Sequence, residues 1–164
     1  LGLSYPGGPS VSALAKEGDP KAIRFPRYRA KNKKPGFSFS GLKTAVLYHI
    51  RGGDALAPTP APEDIPDRAH IAASFQQAAI DNLVKPTLQA CKERNARSIL
   101  VGGGVAANRC LRETMTTEAA KRGIQVIFPS LAYCTDNAVM IAGLGWHALK
   151  EGAFADGALD ASPR

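Results

Sequence analysis

Two short apolar runs, each closed by a turn residue and separated by a stretch of helical spacing, constrain this chain more than anything else in it. Ser98-Ile99-Leu100-Val101 runs into Gly102-Gly103-Gly104, the pattern of a buried strand ending in a tight turn. Leu111, Met115 and Ala119 then recur at intervals of four, and Lys121-Arg122-Gly123 supplies a basic last turn and a glycine stop. Gln125 to Phe128 reads as a second strand, ended by Pro129, and a last helix is expected from about Thr135 to Lys150, closed by Gly152. Strand, helix, strand, helix with short connections means a right-handed crossover and parallel pairing, so the fold class is α/β. Two strands alone do not bury both faces of a sheet. Further strands are expected from upstream, and the chain, which begins at Leu1 without an initiator Met, reads as a piece of a larger domain.

Upstream of this unit the pattern changes. From Asp67 to about Asn95 apolar residues fall four apart (Ile71, Phe75, Ala79, Leu83), with Ile80, Val84, Leu88 and Cys91 widening the stripe. This predicts one long helix that Pro86 should kink or split. The segment Ala55 to Pro66 holds four of the chain's 12 prolines and is a loop. Gly41 to Arg51 looks helical, Phe37-Ser38-Phe39-Ser40 alternates like a brief strand, and Ser10 to Gly18 is a short helical candidate behind Pro9. The expected organisation is one partial domain over 1–164: a Gly/Pro-rich basic segment with a helical insertion over 1–66, and a βαβα part over 67–164.

Composition bounds the chemistry. At 45% apolar and 21% charged residues, a packed core is expected rather than disorder. The longest apolar stretches, Ile99 to Ala107 and Ala138 to Trp146, are far too short to cross a bilayer. Cys91, Cys110 and Cys134 form no CxxC pair, so reduced thiols in a cytosolic protein are the plain reading. His49, His70 and His147 form no HxxxH or HExxH motif, so any metal site must borrow ligands from elsewhere. The charge of +7 is uneven: between Asp19 and Asp54 there is no acidic residue but nine basic ones, interleaved with Phe25 and Tyr28. Such a stretch suits phosphate contacts on a nucleic acid, and equally suits a solvated basic loop. Arg24, Arg27, Lys33, Lys34 and Lys43 are its candidate contacts.

Four motifs can carry a site. Gly102-Gly103-Gly104-Val105-Ala106-Ala107-Asn108 stands between strand and helix, where backbone amides and the helix dipole favour an anion and Asn108 offers both a donor and an acceptor. It is neither a GxGxxG fingerprint nor a P-loop, and spacing alone favours a plain turn with Asn108 capping its own helix. Cys134-Thr135-Asp136-Asn137 offers a carboxylate for a metal, although Asp or Thr at a helix start ordinarily caps it. Phe37-Ser-Phe-Ser-Gly-Leu-Lys43-Thr44 can present hydroxyls and a lysine to phosphate, or simply to solvent. Tyr5-Pro6-Gly7-Gly8-Pro9 reads as a tight turn with Gly8 best placed to lie against a ligand.

Taken in order, LGLSYPGGP, RFPR, FSFSGLKTA, HIAASFQ, GGVAANRCLR and CTDNAVMIAGLG resemble the signature segments of the TsaD family, formerly called O-sialoglycoprotein endopeptidase or glycoprotease. The resemblance covers almost the whole chain, and its CTDNA form is similar to the bacterial or organellar branch. It implies the C-terminal part of an ASKHA (actin-like, ribonuclease-H-like) fold. It also implies transfer of threonylcarbamoyl from threonylcarbamoyl-AMP to the adenine beside a tRNA anticodon. By motif matching, Gly103, Gly104 and Asn108 become adenosine or substrate contacts, Gly8 another substrate contact, and Asp136 a ligand to iron or zinc. The basic segment becomes a tRNA contact, and TsaB-like and TsaE-like proteins the expected partners, in the cytoplasm.

The departures are equally informative. The HxxxH helix that supplies the family's other two metal ligands is not in this sequence, nor are its first phosphate loops or its GEAFDK segment, and Gly36 stands where an acidic residue is common. Half a cleft is expected, which by itself binds metal weakly and transfers nothing. Alternatives are a non-catalytic docking scaffold, the metallopeptidase of the older family label, and another ASKHA member such as a carbamoyltransferase or sugar kinase. HExxH, a Ser-His-Asp cluster or an activated cysteine would have favoured the peptidase, and the sequence offers none of them.

Overall fold

A computed structural model describes residues 1–27, 36–54 and 56–158. Its elements are α1 (Gly7–Leu14), α2 (Ser40–Ile50), α3 (Arg68–Arg94), β1 (Ser98–Leu100), α4 (Arg109–Ala120), β2 (Gln125–Ile127) and α5 (Ala138–Lys150). The strands pair in parallel, Ser98 with Gln125, Ile99 with Val126 and Leu100 with Ile127, and α4 makes the crossover between them. This α/β arrangement is the one the sequence pattern predicts. Among the described residues the sheet has these two strands.

α3 is the element on which α1, α2, β1 and α4 rest. Its 27 residues span about 40 Å at 1.5 Å per residue. Ile80, Val84, Leu88 and Cys91 pack with Ile99 of β1 and with Leu111, Met115 and Ala119 of α4. Ile71 and Ala78 pack with Leu42 of α2, Phe25 and Ile65. Ala72 and Ala73 receive Val11 and Leu14 of α1. Pro86 lies inside this helix yet does not split it. The ring removes one backbone hydrogen bond, but Val84 before it and Leu88 after it are buried in the same cluster, which holds the two halves in line.

Two expectations fail at the amino-terminal side. Phe37–Ser40 is not a strand: 36–39 is irregular and Ser40 already opens α2. Alternation is only a strand's side-chain pattern, and a strand needs a neighbour to bond. The first helix begins at Gly7 rather than Ser10 and ends at Leu14, followed by a tighter turn over Ala15–Glu17. At Gly18 a side chain would run into the backbone of Ala69 and His70, so glycine is what lets this turn lie against α3. The His70 side chain accepts from the Asp19 amide at 2.9 Å, and Ser74 Oγ accepts from the Ile23 amide at 3.1 Å. In this way the HIAASFQ segment binds the loop before it.

Candidate functional site

Parallel pairing puts the carboxyl ends of β1 and β2 on one edge, and in open α/β sheets ligands bind outside that edge. Two turns leave from it. After Leu100, the Val101 amide still bonds the Ile127 carbonyl at 3.0 Å, and the chain then turns through Gly102–Gly104 into a tight helical turn over Gly104–Ala107. Gly103 adopts φ +88°, a backbone conformation that a side chain strains. After β2 the chain passes Phe128 and Pro129, makes a tight turn at Leu131–Tyr133, and reaches Cys134 and α5.

Asn108 ends the first turn and caps α4: its Oδ1 accepts from the Leu111 amide at 2.9 Å. Its Nδ2 donates to Ser12 Oγ at 3.0 Å and, at a long 3.4 Å, to Gln76 Oε1, while Ser12 Oγ donates to Gln76 Oε1 at 2.8 Å. One amide thereby ties α1, α3 and α4 together. Gly8 stands one turn before Ser12 on α1 and so on the same face. The structure brings Gly8 and Asn108, a hundred residues apart in sequence, to the same neighbourhood. At Gly8, Gly103 and Gly104 an added side-chain carbon would meet nothing within 4 Å, so these backbones border open space.

Arg112 is the residue that sequence reasoning missed. One turn into α4, its Nε donates to the Ala106 carbonyl at 2.6 Å. Its terminal nitrogen donates to the Pro129 carbonyl at 2.7 Å and to Cys134 Sγ at 3.2 Å. The guanidinium also lies over the Phe128 ring, 4.8 Å from its centre. It therefore bonds both turns at once. The signal was present: an arginine four residues after the cap, in a helix leaving the sheet edge where both strands end. Arg109 beside Asn108 is committed elsewhere, to Glu113 at 2.6 Å, whose hydrogen bond and charge hold the guanidinium above its ordinary pKa.

Asp136 is exposed in the two-residue approach to α5. The helix starts at Ala138, not Thr135, and its cap is Asn137, whose Oδ1 accepts from the Met140 amide at 3.3 Å and whose Nδ2 donates to the Thr135 carbonyl at 2.9 Å. Neither Asp136 nor Thr135 is the cap, which leaves the carboxylate unspent. Asp136 lies two residues beyond Cys134, the thiol held by Arg112. All three cysteines are free thiols. Among the described residues no group of three His, Cys, Asp or Glu side chains is placed to hold a metal ion. His49 packs edge-on against Phe25, and His70 is occupied by the Asp19 amide. One free carboxylate fits one corner of a metal site and no more.

Of the basic candidates, Arg24, Arg27 and Lys43 lie among the described residues. Arg24 and Arg27 line an open cavity of about 940 Å³ with Lys21, Phe25 and Asp81. Arg27 is not a free cation: it pairs with Asp81 at 2.8 Å, a carboxylate that Lys85 also reaches at 2.7 Å. Lys43 is exposed on the first turn of α2, which packs on a different face of α3 from α1. Lys33 and Lys34 lie outside the described residues. Among the described residues no helix is long and apolar enough to cross a membrane.

Comparison with known proteins fits the motif order. A family model described as TsaD, tRNA N6-adenosine threonylcarbamoyltransferase, matches residues 1–143. A tRNA N6-adenosine threonylcarbamoyltransferase of Thermosipho africanus is 44% identical over 163 residues, 99% of this chain and 47% of the relative. Proteins of the same name from Clostridium beijerinckii and Magnetococcus marinus are 43% identical over 163 residues and 44% identical over 164. They are covered over 46% and 45% of their lengths, and 99% and 100% of this chain is matched. The chain spans about half the length of the curated relatives it matches.

Proposed function

We infer the function from one premise: the chain belongs to the TsaD family of tRNA N6-adenosine threonylcarbamoyltransferases. In our reading it forms one wall of an ASKHA-type cleft. The complete enzyme passes threonylcarbamoyl from threonylcarbamoyl-AMP to the exocyclic amine of the adenine next to the tRNA anticodon. The new bond joins that amine to the carbamoyl carbon, the bond from that carbon to the phosphate oxygen breaks, AMP leaves, and the amine gives up one proton to solvent. The observation that carries the reading is the convergence of the Gly8 face of α1, the Gly103–Asn108 turn and the Cys134–Asn137 turn around one sheet edge.

What these residues contribute is binding and orientation. Asn108 Oδ1 keeps a second lone pair after capping α4, and the long contact to Gln76 is weak enough to be exchanged for an acceptor on the ligand. Both capacities suit the hydroxyls of a ribose or the edge of adenine. The open backbones at Gly8, Gly103 and Gly104 let the ligand come close. Asp136 is this chain's single contribution to a divalent ion, iron or zinc, whose remaining ligands this sequence does not carry. Such an ion supplies positive charge to phosphate oxygens. Arg24, Arg27, Lys33, Lys34 and Lys43 remain the candidate tRNA contacts, Arg27 the weaker for its bond to Asp81. TsaB-like and TsaE-like partners and a cytoplasmic location complete the proposal.

A second reading, a docking scaffold without catalysis, is favoured by α5, none of whose residues is buried. Titration of ATP and AMP into the full natural polypeptide separates the two, because a scaffold has no use for Asn108. Asn108→Asp is the informative variant: aspartate still caps α4 but cannot donate from the amide position. A loss of about tenfold or more in nucleotide affinity with an intact helix signal is expected. Unchanged affinity, or no adenine-nucleotide binding in the unsubstituted protein, would sink the reading.

A further inference from the structure

Ala106 and Cys134 each lie two residues before a residue assigned here to the ligand, Asn108 and Asp136, and Arg112 bonds both of them. Its third acceptor, the Pro129 carbonyl, opens the second turn. Beyond the last paired residues of β1 and β2 neither turn is tied to the other by the sheet ladder, so their separation depends on side chains. A guanidinium suits that task, since its planar fork holds divergent acceptors at set angles, whereas an ammonium is a point charge that favours one. Stacking on Phe128 restrains the fork further. The side chain is half-buried in a helix whose own packing on Leu111 and Met115 anchors it.

We propose that Arg112 is a positioning residue that sets the gap between the Gly102–Asn108 turn and the Pro129–Asn137 turn, and through that gap the affinity for adenine nucleotide, without contacting the nucleotide itself. The proposal rests on the reading above, that these turns face a nucleotide. Losing the strap frees the turns to drift apart, and weakening two or three hydrogen bonds to the ligand is enough to cost about 10- to 100-fold in affinity.

The test titrates AMP into the full natural polypeptide carrying Arg112→Ala or Arg112→Lys, with thermal unfolding followed in parallel. Arg112→Ala is expected to bind AMP about 10- to 100-fold more weakly. Arg112→Lys should stay within about threefold of alanine, because one ammonium does not span both turns. Millimolar methylguanidinium should restore AMP binding to the alanine variant and not to the lysine one, an effect that a general loss of stability does not produce. Full affinity in Arg112→Ala, or full recovery by lysine, overturns the proposal. If the alanine variant does not fold, the lysine variant decides: unimpaired AMP binding overturns the strap and a tenfold loss upholds it. If the unsubstituted protein does not bind AMP, the parent reading fails first. Nucleotide affinity lost in Asn108→Asp but kept in Arg112→Ala leaves the parent reading standing and removes this one.

Discussion

α4 and α5 are near twins by local criteria and opposites by packing. Each follows a parallel strand and a turn, each is capped by an asparagine, and they run to 12 and 13 residues. Yet α4 buries Leu111, Met115 and Ala119, while α5 buries nothing and shows Val139, Ile141, Leu144 and Trp146 to solvent. The sheet repeats the contrast: Ile99 is buried toward α3 and α4, whereas Leu100 on the opposite face is 80% exposed. Capping and periodicity are local and can be satisfied by any helix, but burial needs a second surface. Exposed apolar side chains all the way round one helix are what interaction sites look like. The difference shows that forming a helix and placing it are separate problems.

The sharpest way to break that contrast is to remove the same kind of side chain from each helix. Met115→Ala should cost about 2–5 kcal/mol in urea unfolding, because it leaves a cavity against α3 and β1. Leu144→Ala, 70% exposed, should stay within about 0.5 kcal/mol of the parent. Comparable losses would mean that α5 is covered in solution and the contrast is false. The caps are the next test. Asn108→Ala should cost about 1 kcal/mol for the cap and about 1 kcal/mol more for the lost contacts to Ser12 and Gln76. Asn137→Ala, whose bonds are exposed and confined to its own turn, should cost about 1 kcal/mol at most. Equal values, measured by chemical denaturation, would say that the bridge from α4 to α1 adds nothing.

The smallest effect belongs to the end of α4. Hydrogen bonds from Lys121 and then Arg122 hold the Glu118 carboxyl below its ordinary pKa. A carboxyl depressed on folding contributes stability at pH values above its unfolded pKa and loses that contribution as the pH falls through the folded value. Glu118→Gln should therefore slightly flatten the acid limb of stability against pH, by a margin that added salt erases because its ion pairs lie at the surface. An unchanged acid limb at low salt would show the pair to be inert.

How much the residues announced in advance follows the same division. The parallel strands, the crossover and the long helix are readable because period and punctuation agree over most of Asp67–Ile127, Pro86 being the exception. Phe37–Ser40 misled because alternation says nothing about whether a neighbouring strand exists. The sequence places the start of α5 at about Thr135, where Thr, Asp and Asn are all good caps, and the backbone shows that Asn137 is the cap. Gly8, Asn108 and Asp136 stand out in the sequence by their turns and their chemistry, and motif resemblance gives them their roles. What joins their elements, Ser12, Gln76 and Arg112, is not visible in the sequence, since the Ser12–Gln76, Asn108–Ser12 and Arg112–Cys134 bonds link residues 64, 96 and 22 positions apart.

The length of α3 has a last consequence. Because one unbroken rod lends side chains to all three clusters, the glycine- and proline-rich first third of the molecule and the βαβα unit stand on common ground. Strain introduced at Gly18, near one end, and strain introduced at Leu88, near the other, draw on the same reserve of stability. A change far from the glycine turns can in this way loosen them without altering anything that touches them.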